Sequence, residues 1–194
     1  MVPTSIQIIR EEHSSLAALL RSFGMLVERG PGRDPQKFFA TLSAMLFYVD
    51  EFPERLHHPK ESELLFPPVA RRAPEIAELI AQLDSEHARG EAEVRKLTHL
   101  LQAWELIGES RRQEFVVASQ RYLAFYLEHM RLEETVIIPA AMTVLTESDW
   151  KELDAAFASN CDPLTGTTPR DPAYDRLYTR IVTMTPAPIG LGIG

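Results

Sequence analysis

Three histidines in this sequence are each followed, four residues later, by a glutamate. The pairs are His57 with Glu61, His87 with Glu91, and His129 with Glu133. With six histidines and twenty glutamates in the chain, chance would give about 0.6 such pairs. Residues four apart share one face of an α-helix, where an imidazole and a carboxylate can chelate one metal ion. A single pair of this kind is more often a surface ion pair than a chelate, so the position of the pairs in the fold decides between the two interpretations.

Four segments of the chain have apolar residues at alternating steps of three and four, the spacing of a bundle helix. Each of these four stripes contains one histidine at an inward position: His13, His57, His87 and His129. Breaks rich in Gly and Pro separate the segments at residues 30–35, 67–74 and 107–110. Pro53 and Pro59 fall inside the second segment. We therefore expect this helix to be irregular, with a slip of register that turns His57 inward.

Four long helices joined by short breaks predict an all-α, up-down-up-down four-helix bundle with a C-terminal extension. Counted along neighbouring helices, the four histidines lie at the same depth within about six residues, roughly 9 Å. We therefore expect all four in one layer of the core. Imidazoles and carboxylates buried together are costly unless a cation neutralises them. Mixed nitrogen and oxygen ligands in a bundle core suit a pair of transition-metal ions.

The composition restricts the classes of function. The 194 residues are 45% hydrophobic and 25% charged, which is enough apolar material for one packed body. A formal net charge of -8 argues against nucleic acid and anionic membranes as partners. No apolar run reaches the roughly 20 residues of a membrane span, and no secretory signal pattern begins the sequence. The single cysteine, Cys161, fits a reducing compartment, so we expect a cytoplasmic protein.

We divide the chain into a bundle over residues 1–146 and an extension over residues 147–194. The start of the extension predicts a short helix with Thr146 or Ser148 as its N-cap. The remainder is rich in Pro, Gly and Thr, with a further short helix expected near residues 174–182. Its final part, residues 176–194, is too apolar to remain free in water. We expect it to pack on the bundle or on a second copy in a homodimer.

The four histidine segments resemble the successive motifs of the hemerythrin-like, or HHE cation-binding, family from Ile6 to about Thr146. The motifs are "EEHSSL", "HHPKESELLFP", "SEHARGE" and "HMRLEETVIIPA". The resemblance implies two iron ions joined by an oxo or hydroxo bridge, with manganese or zinc as alternatives. It implies bridging roles for Glu61 and Glu133. The complete set of implied metal ligands is His13, His57, Glu61, His87, His129 and Glu133.

The sequence departs from the oxygen-carrying hemerythrins at two positions. Their third helix has a second histidine where this chain has Glu91, and their last motif ends in an aspartate where this chain has Glu133. A site with more carboxylates favours ferric iron, which argues against reversible oxygen carriage. Glu91 is either a seventh ligand or a solvated or outer residue. Gly90 beside it is expected to leave room for a small ligand.

The remaining candidates have simpler interpretations. His58 either supports a neighbouring ligand or is exposed, because His57 already takes the inward direction. His99 and Glu63 have no inward partner and are expected at the surface.

Three functions fit these features. The first is a non-haem di-iron protein that binds O2, NO or peroxide for sensing, detoxification or iron handling. The second is a di-iron enzyme with ferroxidase or peroxidase-like activity. The third is a structural or metal-storage cluster, with the extension contacting a protein partner.

Overall fold

The computed structural model describes residues 2–160, 162–165 and 174–185, which contain helices and no strand. The α-helices are α1 (Thr4–Arg29), α2 (Pro35–Val49), α3 (His58–Lys60), α4 (Phe66–Arg72), α5 (Ala77–Ile107), α6 (Arg112–Leu132), α7 (Ile138–Val144), α8 (Glu147–Phe157) and α9 (Asp175–Met184). Three π-helical segments are π1 (Asp50–His57), π2 (Glu61–Leu65) and π3 (Glu133–Ile137), and single 3-10 turns cover Pro74–Ile76 and Glu109–Arg111. The all-α bundle predicted from the sequence is confirmed. Within the described part of the chain, no helix has the length and apolar character to cross a membrane.

The break between α1 and α2 is built from the residues that the sequence places there. Gly30 and Gly32 have φ values of 76° and 55°, in the left-handed region that glycine adopts without strain. Asp34 then caps α2, because its Oδ1 accepts a hydrogen bond of 3.0 Å from the Lys37 backbone N–H. Pro35 occupies the first turn, where its missing N–H costs nothing.

Helix α6 packs between α1 and α5, and the residue contacts show the direction of the chains. Gly24 of α1 lies against Leu123 of α6, so closely that a Cβ at position 24 would be 2.7 Å from Leu123 Cδ2. Gly30, directly after the last residue of α1, lies against Arg112, which is earlier in α6. The contacts therefore run in opposite order, and α1 and α6 are antiparallel.

Two clusters of buried apolar side chains lie on either side of the histidines. The larger core contains the later part of α1, α2, the later part of α5 and α6. The smaller core contains the start of α1, π2, α4, the start of α5, α7 and α8. Along each helix, the polar residues lie between a side chain of one core and a side chain of the other. His13 lies between Ile9 and Leu16, and His87 lies between Leu83 and Val94. His57 and Glu61 lie between Phe52 and Leu65, and Glu133 lies between Met130 and Ile137. The layer is thus enclosed by apolar side chains above and below.

The helix that carries His57 and Glu61 is irregular, as predicted. In π1 the His58 backbone N–H bonds to the Pro53 carbonyl, five residues back, where an α-helix would bond four back. Proline cannot donate a backbone hydrogen bond, so Pro53 itself loosens this part of the helix. The wider turn changes the direction in which the following side chains face.

A π-helical turn also begins at each of the two glutamates that are paired with His57 and His129. Glu61 begins π2 and Glu133 begins π3, and each carbonyl accepts a hydrogen bond from the backbone five residues on. A proline follows each glutamate by six residues, at Pro67 and Pro139. Each proline lacks the N–H that would continue a regular α-helix.

The extension contributes to both cores. Helix α8 begins with a capping box between Thr146 and Asp149, and its Leu153 and Phe157 are buried in the smaller core. Helix α9 packs against α2, and Ile181 is buried in the larger core. The two short helices expected in the extension are therefore present. Residues 186–194, the end of the segment expected to pack on the bundle or on a second copy, lie outside the described residues.

Asp154 of α8 fastens the extension to the start of α1. Its Oδ1 accepts hydrogen bonds of 2.7 Å from both the backbone N–H and the hydroxyl of Ser5, which is fully buried. Asp154→Ala leaves two buried donors unpaired, so we expect the free energy of unfolding to fall by about 1–3 kcal/mol. Urea denaturation measures it, with Glu152→Ala on the exposed face of α8 as the control. Equal stability of the two variants would contradict the role of this contact.

Candidate metal centre

Four imidazole Nε2 atoms face one another in two pairs within the polar layer. His13 Nε2 lies 3.2 Å from His57 Nε2, and His87 Nε2 lies 2.9 Å from His129 Nε2. All four side chains are buried. Two unprotonated ring nitrogens at these distances would direct their lone pairs at each other. Each pair therefore requires a proton or a metal ion between or beside its nitrogens.

Two buried carboxylates connect the imidazole pairs. Glu61 places Oε1 3.2 Å from His57 Nε2 and Oε2 3.6 Å from His87 Nε2. Glu133 places Oε2 3.4 Å from His13 Nε2 and Oε1 3.1 Å from His129 Nε2. Each carboxylate thus offers one oxygen to each pair. We call His13 and His57 with their two oxygens the first subsite, and His87 and His129 with theirs the second subsite.

The carboxylates of Glu61 and Glu133 show that these residues suit bound cations. The two side chains are 0% and 1% exposed, and apart from the facing imidazoles none of their four oxygens has a hydrogen-bond partner among the described residues. A buried carboxylate is strongly destabilising unless protons or a cation on the imidazole side compensate its charge. Nitrogen and oxygen atoms from His13, His57 and Glu61, and from Glu61, His87 and Glu133, lie within 4.8 Å of one another. The residues therefore fit bound metal, with candidate ligand atoms from the imidazoles and from both carboxylates.

Comparison with protein families agrees with this geometry. The family model described as the hemerythrin HHE cation binding domain matches residues 4–141. The chain belongs to the hemerythrin HHE family. The match contains every side chain of both subsites, whereas α8 and α9 of the extension lie beyond it. A search of curated proteins finds no match.

Each imidazole of this hemerythrin domain is held in place through its other ring nitrogen. The Nδ1 partners are Glu134 for His13 at 3.1 Å, Glu12 for His57 at 2.7 Å, Ser62 for His87 at 2.9 Å and Glu86 for His129 at 2.8 Å. An Nδ1–H that donates to a carboxylate leaves the lone pair on Nε2, the nitrogen that faces the cluster. The outer partners thus prepare the imidazoles to bind a cation.

These outer partners were missed in the sequence, although the sequence contains a signal for them. Glu12 directly precedes His13 and Glu86 directly precedes His87, so a Glu-His dipeptide occurs on both helices. Each of these glutamates holds the histidine of the next helix. The partners Ser62 and Glu134 directly follow Glu61 and Glu133. The repeated dipeptide is visible in the sequence, but its partners on other helices are not.

An approximate two-fold arrangement relates two halves of the layer. The first half contains His13, His57 and Glu61, and the second contains His87, His129 and Glu133. Ser62 of the first half holds His87 of the second, and Glu134 of the second half holds His13 of the first. This reciprocity is the pattern that a two-fold axis produces. The spacing agrees, since 74 residues separate His13 from His87 and 72 separate His57 from His129.

The buried carboxylates change how the imidazoles titrate. Burial alone lowers the pKa of His129, but Glu133, Glu86 and Glu61 outweigh it and raise that pKa to about 9. In the same way, burial is outweighed at His57, where Glu61 and Glu12 raise the pKa well above its usual value. At Glu133 burial raises the pKa, but His129, His87 and His13 outweigh it and lower that pKa well below its usual value. A cation that enters the cluster displaces these imidazole protons.

Glu91 is not part of the cluster. Its side chain is 46% exposed and pairs with Arg95 one turn along α5. The inward neighbour, Gly90, does not leave open space either, because a Cβ at this position would lie 2.8 Å from Cδ of Glu54. The structure therefore does not support Glu91 as a seventh ligand or Gly90 as a ligand pocket. The reason is that Glu54 fills the interior at this level.

His58 is buried beside the second subsite, which overturns its exposed interpretation. Its ring stacks on His87 with a centroid distance of 4.2 Å and an interplanar angle of 9°. Its Nδ1 lies 3.2 Å from Glu54 Oε2, and the Tyr126 hydroxyl donates to the other Glu54 oxygen. Burial raises the pKa of Glu54 to about 8, and burial together with the charge of His87 lowers the pKa of His58 well below its usual value.

The other two surface predictions are confirmed. His99 and Glu63 are exposed, and neither contributes to the polar layer.

A small cavity adjoins the first subsite. Its volume is about 10 Å³, roughly the room for one water molecule. His13 and His57 form one side, and the apolar side chains of Leu16, Phe52 and Met130 line much of the rest. The cavity therefore offers a small, mostly apolar space next to two candidate ligands.

The extension covers this side of the cluster. Asn160 donates from Nδ2 to both oxygens of Glu12, at 2.9 and 3.0 Å, and thereby supports the glutamate that holds His57. Asp162 accepts hydrogen bonds from the Tyr48 hydroxyl at 2.7 Å and from the Leu164 N–H at 2.8 Å. Asn160 and Asp162 also line the cavity. Residues beyond the matched hemerythrin domain thus complete the surroundings of the first subsite.

Glu12 and Glu91 provide a direct comparison of an outer partner with an exposed carboxylate. Glu12→Gln removes the negative charge that polarises His57, so metal affinity should fall about 10–100-fold. Glu91→Gln should leave metal affinity unchanged. Competition of each variant with a chromophoric metal chelator measures the effect. The assignment is wrong if Glu91→Gln weakens binding as much as Glu12→Gln does.

Asp162 gives a prediction for pH dependence. Burial raises its pKa to about 6, above the value of about 3.9 expected in the unfolded chain. The folded protein therefore holds the extra proton between these values, so Asp162 lowers the free energy of unfolding as pH rises from about 4 to 6, by at most about 3 kcal/mol. Asp162→Asn does not titrate. In metal-free protein, the stability of the variant relative to wild type should increase over this range, as measured by urea denaturation, and a constant difference would contradict the assignment.

Proposed function

We propose that this protein binds two iron ions in the polar layer and uses them to bind O2, NO or peroxide for sensing, detoxification or iron handling. The observation that carries the proposal is the placement of Glu61 and Glu133. Each carboxylate presents one oxygen to each imidazole pair and lacks any other partner among the described residues. Two cations, one at each pair, would satisfy all four oxygens.

The ligand set supports iron as the metal. Each subsite offers two imidazole nitrogens and two carboxylate oxygens. Imidazole suits iron and zinc, while carboxylates shift preference toward harder ions such as iron and manganese. A mixed set of this kind in a helical bundle is typical of di-iron and di-manganese centres. Zinc and manganese remain the alternatives that metal analysis has to exclude.

The surrounding residues support a small ligand. When bound, the metal pair supplies coordination positions and redox chemistry. The chain's own part is to hold the imidazoles through Nδ1, to keep bulk water out with the two cores, and to leave the cavity next to His13 and His57. A cavity of about 10 Å³ suits a diatomic molecule or peroxide far better than an organic substrate.

The metal content of histidine variants tests the site. His57→Ala and His129→Ala each remove half of a chelating pair and should lose most of the bound iron. His99→Ala, on the exposed face of α5, should retain two ions per chain. Metal analysis of purified, iron-loaded protein measures the outcome. Full retention of iron in His129→Ala would contradict the proposed site.

The ultraviolet-visible spectrum of iron-loaded protein tests the function. Charge-transfer bands that respond to azide, NO or peroxide support ligand binding. Sustained loss of H2O2 with multiple turnovers would favour the enzymatic alternative at the same site. Bands that respond to none of these molecules would overturn the ligand-binding proposal and leave a structural or storage role.

A further inference from the structure

The approximate two-fold arrangement breaks down at one position that can bind metal. The 72-residue spacing that relates His57 to His129 relates the next residue, His58, to Met130. The 74-residue spacing that relates His13 to His87 relates Leu16 to Gly90. The second subsite thus has an imidazole and a glycine where the first has two bulky apolar side chains.

These differences act together. A side chain at position 90 would collide with the carboxyl group of Glu54. Because Gly90 leaves that space, Glu54 can reach its position and hold Nδ1 of His58 at 3.2 Å. Tyr126 fixes the other oxygen of Glu54. Gly90, Glu54 and Tyr126 therefore position the His58 ring over His87.

His58 lies within reach of the second subsite. One ring nitrogen from each of His58, His87 and His129 falls within a group whose members are all within 4.8 Å of one another. The His58 ring is 5% exposed and its centroid lies 5.8 Å from that of His129. With Nδ1 directed to Glu54, the nitrogen left for a cation is Nε2.

We propose that His58 is a fifth imidazole ligand of the cluster and belongs to the second subsite. It is then the additional ligand that Glu91 was expected to be. This rests on the two-metal function proposed above. The subsites are then unequal, with three imidazoles at the second and two at the first. Glu54 is the positioning residue for this fifth imidazole.

The support of Nδ1 distinguishes a ligand from a packing residue. A side chain that only filled the core here would be better apolar, as Met130 is at the related position, because burying an imidazole costs free energy. His58 has instead the same kind of support as the other four imidazoles, a polar side chain at hydrogen-bond distance from Nδ1. Such outer partners are typical of imidazoles that bind metal.

Counting the ligated imidazoles in the wild-type chain is the direct test. Histidine ring nitrogens of full-length protein labelled with 15N are observed by NMR before and after addition of Zn²⁺, a diamagnetic probe. We expect five Nε2 resonances to move on metal binding, with the sixth histidine, His99, unchanged. Four moving resonances would overturn the assignment of His58. Failure of the wild type to bind two ions would instead overturn the proposed function.

A variant series adds a second measurement. His58→Met places at this position the residue that the related half already has, so the volume of the core is nearly preserved. In Fe²⁺ titrations against a chelator, the variant should bind one equivalent with wild-type affinity. Its affinity for the second equivalent should fall by at least about 100-fold, which is more than the loss of an outer partner usually causes. Glu54→Gln, which keeps a polar group at Nδ1, should weaken the same equivalent less. His99→Met is the matched control and should bind both equivalents as wild type does. Two wild-type equivalents in His58→Met would overturn the proposal.

Discussion

The burial of two carboxylates whose charge only the facing imidazoles can compensate is the constraint on which the rest of the structure depends. Glu61 and Glu133 lie between two apolar cores, where an uncompensated charge would cost on the order of several kcal/mol, a large fraction of the roughly 5–15 kcal/mol that stabilises a small domain. The facing imidazoles supply the compensation through protons or through metal ions. Everything that fixes those imidazoles, from the π-helical turns to the Nδ1 partners, therefore also determines whether the bundle can fold around its own polar layer.

The approximate two-fold arrangement explains how four helices meet this requirement with few residue types. Each half supplies a Glu-His dipeptide on one helix and a His and Glu pair, followed by a proline, on the next. Within a half, the glutamate of the Glu-His dipeptide orients a histidine. Across the halves, the residue after Glu61 or Glu133 orients another. The same short motifs therefore make equivalent contacts in both halves. The departures from the symmetry, at His58 and Gly90, are then the places where the two subsites can differ.

The extension has a role that the family match alone does not indicate. Its α8 helix fills the smaller core, and Asn160 supports Glu12, which in turn holds His57. The first subsite therefore depends on hydrogen bonds that come from outside the matched residues 4–141. A hemerythrin domain cut at the end of that match would lose the cover of the cavity as well as part of its core.

The helices, the inward stripes and the grouping of His13 with the two His and Glu pairs follow from residue spacing, because the period of an α-helix decides which side chains share a face. The irregular second helix also follows, since proline removes backbone donors wherever it stands. The same spacing rule placed Glu91 beside His87, yet the side chain is exposed because Glu54, from another helix, fills the interior at Gly90. The burial of His58 and the partners of each Nδ1 were likewise decided only by packing. Periodicity along one helix is local, whereas the contacts between helices depend on their rotation and separation, which arise when all the side chains of the core pack together.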